Sequence, residues 1–138
     1  MTDPATRAEE YVLDAHTETV ETVLRCADAV AADWDGPATA RRAVAGPLRR
    51  ELESAGAWTR LPEVLAGAVE AAGFSLPAAP VAAPPYVAVT SRGPVLRATV
   101  SAGRLVVLLR AFEVERADSV RYVRGPETPR EAVCATLE

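Results

Sequence analysis

Apolar positions recur at helical spacing through the first quarter of the chain. Ala8, Val12, Ala15, Thr19, Val23, Ala27, Val30 and Trp34 share one face, flanked by Val20 and Cys26; Glu10, Asp14, Glu18, Glu21 and Asp28 share the other. That period with opposed polarity predicts an amphipathic helix. Thr2-Asp3-Pro4 supplies its start, a capping side chain followed by proline in the first turn. Asp35-Gly36-Pro37 supplies its stop. One continuous helix is expected from there to about Asp33, with Glu21 and Arg25 paired in the favourable i,i+4 order.

A second helix is expected from about Thr39 to Ala55, with Val44, Leu48 and Leu52 as its buried stripe. Gly46-Pro47 interrupts it, because proline removes a donor and crowds the preceding turn, which leaves either one kinked helix or two short ones. A third, Pro62 to Ala72, aligns Leu61, Leu65, Ala68 and Ala72 and is closed by Gly73. Residues 73–85 are proline-rich and predict an extended connector.

Beyond the connector the pattern turns to strands. Tyr86–Thr90 and Val95–Val100 flank the turn Ser91-Arg92-Gly93-Pro94. The apolar run Leu105–Leu109, inside Arg104–Arg116, predicts a central strand buried on both faces. Val120–Val123 makes a fourth strand, and Thr128-Pro129 opens a short terminal helix within 128–137. Helices segregated from consecutive strands define an α+β fold. The expectation is three N-terminal helices packed on a four-stranded antiparallel sheet, followed by that short helix. The organisation is one domain over 1–138: a helical half 1–72, the connector 73–85, a β half 86–124 and the terminal helix.

At 138 residues the chain has the length of one domain that needs no disulfide or metal to hold its core. No apolar stretch approaches membrane-spanning length, and the polar start Met1-Thr2-Asp3-Pro4 is unlike a signal peptide. A cytoplasmic protein with no membrane role is expected. Cys26 and Cys134, far apart and without CxxC spacing, read as free thiols in a reducing compartment.

Charge is unevenly divided. All 15 basic residues are Arg and none is Lys. Residues 1–80 hold 7 Arg against 13 acids, whereas residues 81–130 hold 8 Arg against 4 acids. The acid lies on the helices and the arginine on the sheet.

Candidate chemistry is sparse. His16 is the only histidine and falls within the apolar stripe of the first helix. It could serve as a base or switch, but no motif ties a nucleophile to it, and a hydrogen-bonded, partly buried imidazole is the plainer reading. One His and two scattered Cys do not make a zinc spacing, Asp33-Trp34-Asp35-Gly36 is only a fragment of a calcium loop, and no phosphate loop or nucleophile elbow occurs. No catalytic residue, cofactor or metal is assigned. Trp34 and Trp58 read as core anchors beside helix ends. The remaining set is Arg92, Arg97, Arg110 and Arg121, with Tyr86 and Tyr122 as aromatic neighbours. If the four converge they could grip a phosphate backbone or an acidic partner. The plainer reading is a solvated sheet face with Glu113 and Glu115 paired across strands.

The run Ala83-Pro84-Pro85-Tyr86-Val87-Ala88-Val89-Thr90-Ser91-Arg92-Gly93-Pro94-Val95-Leu96-Arg97, then Gly103-Arg104-Leu105-Val106 and Phe112-Glu113-Val114, resembles a family of small, uncharacterised haloarchaeal proteins. The Gly46-Pro47-Leu48 segment fits it too. The resemblance implies a halophilic, cytosolic setting and no activity or site. Three functional readings follow. The preferred one is a non-enzymatic protein-binding or adaptor domain acting through its sheet or as a homodimer. The second is a nucleic-acid-binding module using the sheet arginines. The third is a small-molecule pocket between helices and sheet, near His16 and Arg110.

Overall fold

A computed structural model describes residues 2–138. The first helix starts as the sequence requires. Asp3 accepts hydrogen bonds from the Thr6 amide at 3.0 Å and the Thr6 hydroxyl at 2.9 Å, and Pro4 opens the first turn. Those bonds favour the ionised carboxyl and hold it below its ordinary pKa.

The expected single helix is in fact two, α1 (Pro4–Ala15) and α2 (Thr17–Ala32). His16 separates them with φ −129° and ψ 28°, outside the helical well. Neither Pro nor Gly marks the break, so its cause is tertiary. A continuous helix would run roughly 45 Å. Breaking it lets two apolar faces meet different partners. Ala8 and Val12 face the sheet side, where α1 packs along α4 (Leu61–Ala71) and β6 (Val133–Leu137). Val20, Val23 and Ala27 serve α2, which packs on α3 (Ala45–Ser54) and reaches β5 (Val120–Arg124). Gly46-Pro47 does not interrupt a helix but sits in the first turn of α3, where a missing amide donor costs nothing. A short 3₁₀ turn, Arg41–Ala43, precedes it.

The strands are β1 (Val87–Thr90), β2 (Gly93–Val100), β3 (Gly103–Leu109) and β4 (Phe112–Arg116), then β5 and β6. The main sheet is antiparallel with order β1-β2-β3-β6, so the run 105–109 lies inside it, between two neighbours. Two expectations need correction here. Residues 129–136 are not one helix: only α5, Pro129–Ala132, is helical, and the chain then becomes the fourth strand. Val133, Ala135 and Leu137 alternate inward with Cys134 and Thr136 outward, a period of two that a short segment hides. Val120–Val123 belongs instead to a separate β4–β5 hairpin, bridged on its far side by Ala38. The long run 104–116 therefore changes sheets at Arg110-Ala111. There the Ala111 and Phe112 amides both donate to the Arg92 carbonyl, at 2.7 and 3.0 Å.

The central strand is also not buried on both faces. Leu105, Val107 and Leu109 are fully buried, whereas Val106 and Leu108 are only half-buried. Register places Val87, Leu96, Val107 and Ala135 in one inward row. The helices α1 and α4 cover this face. The hydroxyl end of the Tyr11 ring on α1 packs against Gly67 of α4, so tightly that a Cβ there would collide with it. Core residues from both halves form one cluster. Trp58 is buried with the Arg49 guanidinium 4.5 Å above its ring, and Trp34 packs on Phe112 with centroids 5.4 Å apart.

The outer edge of β6 is partly blocked. The Val133 amide turns back to the Pro129 carbonyl, and the Ala135 amide donates to Glu9 of α1 at 2.8 Å. A carboxylate placed on a strand's unpaired donor blocks the addition of another strand.

Candidate functional site

The sheet has a second face, and its content follows from the register. Outward rows are Ala88, Val95, Leu108 and Cys134; then Arg97, Val106 and Thr136; then Thr99 and Arg104. Ala88, Val95, Val106 and Leu108 are half-buried, and Arg97, Thr99, Arg104, Cys134 and Thr136 are exposed. An apolar strip thus lies toward the β1–β2 turn, and a polar, cationic end lies toward the β2–β3 turn.

That cationic end is concave. Arg97, Thr99 and Arg104 line a cleft of about 270 Å³ together with Tyr86 and the connector residues Leu76, Pro77 and Pro85. Arg97 and Arg104 are diagonal neighbours on one face, since Arg97 opposes Val106 and Thr99 opposes Arg104. Among the described residues neither guanidinium takes part in an ion pair.

The four sequence-singled arginines do not converge. Arg92 is exposed in the β1–β2 turn, and its carbonyl, not its side chain, does structural work. Arg110 stands at the sheet change, donates to the Glu131 carbonyl at 3.4 Å and leaves its Nε buried without a partner. It lines a cleft with Arg124 and three carboxylates, Glu113, Glu127 and Glu131. Arg121 is cross-strand from Glu115 on the hairpin and bonds it at 3.1 Å. Tyr122 is buried in the core and presents no face for stacking, while Tyr86 stays half-buried beside Arg97.

Two arginines escaped notice in the sequence. Arg104 was legible in principle: a two-residue turn at Ser101-Ala102 sets Thr99 opposite Arg104 and places it near Arg97. Arg124 had no local signal. It bonds Asp28 of α2 at 2.7 Å, the Pro126 carbonyl at 3.2 Å and the Ala111 carbonyl, tying hairpin, helix and sheet change together.

His16 lies at the α1–α2 junction, apart from the Arg110 cleft, and its Nε2 shares a 2.9 Å hydrogen bond with the Tyr11 hydroxyl. Burial lowers its pKa from the ordinary 6.5, with Glu63 opposing. The unfolded imidazole therefore takes up its proton first as pH falls. Stability contributed by the neutral ring is full above about pH 6.5 and is lost as pH drops through the lowered folded value. Urea midpoints should fall as pH drops below about 6.5, and His16→Gln should flatten that slope. Equal slopes in the two proteins would show that His16 does not titrate against folding.

Cys26 is buried on α2, where burial and the nearby Glu51 raise its thiol pKa and so reduce its reactivity. Cys134 is exposed on β6, and both thiols are free. Among the described residues no group of His, Cys, Asp and Glu could hold a metal, and no helix is long and apolar enough to cross a membrane.

These features define a mixed helix-and-sheet protein: five α-helices, an antiparallel four-stranded sheet and a two-stranded sheet. The chain belongs to the family described as Domain of unknown function (DUF7988), whose model matches residues 6–138. No curated protein and no solved structure matches it.

Proposed function

We propose that this chain is a non-enzymatic protein-binding domain that works through the open face of its four-stranded sheet, with a second copy of itself as the partner. The observation that carries the reading is the in-register row Ala88, Val95, Leu108 and Cys134, with Val106 beside it. Two sheets packed face to face bury such rows against each other. A two-fold axis along this row satisfies the self-complementarity that a dimer of identical chains demands. It also sends the two Arg97/Arg104 ends in opposite directions, so like charges do not meet. Edge-to-edge pairing at β6 is disfavoured, because Glu9 already occupies the Ala135 amide.

The residue usage supports a haloarchaeal, cytoplasmic setting: Arg without Lys and an acidic helical half. Concentrated salt screens surface charge within a few ångströms, which favours an apolar contact over an electrostatic one. A nucleic-acid role is less well supported, because Arg121 is paired with Glu115 and Tyr122 is buried.

Multi-angle light scattering in concentrated potassium chloride tests the dimer. The unchanged chain should run as a dimer and Leu108→Glu as a monomer with the same circular dichroism. A strictly monomeric unchanged chain, or a Leu108→Glu chain that stays dimeric, would remove the proposal.

A further inference from the structure

The cationic end of the open face is a built pocket, and its chemistry goes beyond the dimer contact. The clefts differ in charge. The groove between α2 and α3 mixes Glu18, Glu21 and Glu51 with Arg25 and Arg60, and the Arg110 cleft mixes both signs. Two arginines and no acidic residue line the Arg97 pocket. Like charges on neighbouring strands of one face are unfavourable unless something offsets them. Glu138 lies cross-strand from Arg104, since their backbones exchange hydrogen bonds at 2.9 Å, but it neither pairs with that guanidinium nor lines the pocket.

The donors are of the right kind and lack internal partners. Among the described residues, the hydrogen bonds of the chain leave the side chains of Arg97, Arg104, Thr99 and Tyr86 unused. Three of these four project from one sheet face at register positions the backbone ladder fixes. Leu76, Pro77 and Pro85 form an apolar wall. A wall of that kind lowers the local dielectric and strengthens a charge contact, and prolines hold it in place with few accessible conformations. Guanidinium forks and a hydroxyl match the oxygens of a phosphate better than those of any neutral group.

We propose that Arg97, Arg104, Thr99 and Tyr86 form a binding site for the phosphate monoester group of a small molecule. Two positive charges match the near-dianion that a monoester carries at neutral pH. The volume of about 270 Å³ lies just below the usual range for small-ligand pockets, so the site takes a phosphate with a small substituent and not a folded chain. The bound group lies at the rim of the dimer contact, so occupancy does not depend on that contact.

Titration calorimetry tests this at the lowest salt at which circular dichroism shows the chain folded, using glycerol 3-phosphate, inorganic phosphate and acetate as probes. Glycerol 3-phosphate should bind, acetate should not, and affinity should fall as potassium chloride is raised. Arg97→Gln and Arg104→Gln should each weaken binding about tenfold or more, and Arg121→Gln, whose charge is committed to Glu115, should leave it unchanged. Absence of binding by either phosphate, or an unaltered affinity in the Arg97→Gln/Arg104→Gln double variant, overturns the site. Inorganic phosphate binding as tightly as the ester overturns the monoester assignment. A monomeric protein that still binds the ester would separate this site from the dimer proposal.

Discussion

Replacing Phe112 by alanine is expected to cost about 3–5 kcal/mol of unfolding free energy, a large share of the roughly 5–15 kcal/mol that a domain of this kind possesses. Phe112 is fully buried as the first residue of β4 and packs at 5.4 Å on Trp34. Trp34 in turn donates its indole N–H to the Ala43 carbonyl at 3.1 Å. Through Trp34, the Phe112 ring therefore links the separate hairpin to the end of α2 and the 3₁₀ turn before α3. Removing it leaves a void bounded by elements that are each tied elsewhere, so the site collapses poorly and the cavity cost is retained. Urea unfolding followed by circular dichroism measures the effect. A loss below about 1 kcal/mol would mean that the hairpin packs independently of this ring.

Gly93→Ala should be nearly as damaging, for a different reason. Gly93 has φ +141°, where L side chains are strained, and an added Cβ would lie 2.1 Å from the Leu109 carbonyl oxygen. That atom is backbone in the sheet's inner strand and cannot swing aside. Strain of about 1–3 kcal/mol adds to a comparable overpacking cost, giving a loss on the order of 2–6 kcal/mol. Gly36 supplies the control: its φ is +82° but nothing lies within 4 Å of the added carbon. Gly36→Ala should show only the conformational part, about 1–2 kcal/mol. Similar losses at both positions in thermal or urea unfolding would remove the argument from close approach.

The sequence disclosed elements whose causes are local and hid those whose causes are not. The helix at Leu61–Ala71 was legible because Pro62, Leu65 and Ala68 sit where a helix start and a buried stripe need them. The strand at 105–109 was legible from its run of apolar residues between turns. The break at His16 was not, because nothing in Asp14-Ala15-His16-Thr17 opposes a helix; only the separate demands of the sheet and of α3 do. The strand at Val133–Leu137 was concealed by its brevity and by the helical opening Thr128-Pro129. The open face could be derived once the register was known, since alternation assigns Val106 and Leu108 to it. The pocket required more: Leu76 and Pro77 reach Arg97 only through the path of the connector, which no local pattern encodes.

The placement of β6 has a further consequence for how this polypeptide is made. Its ladder with β3 pairs Leu105 with Leu137, and its edge is partly blocked by Glu9, 126 positions away. A chain emerging from the ribosome thus exposes one flank of β3 until Val133–Leu137 has followed it out. Contacts of such long span form late and slowly. During that interval the unprotected strand invites pairing with neighbouring nascent chains, and the carboxylate of Glu9 waits near the start of the chain to close the edge that would otherwise propagate.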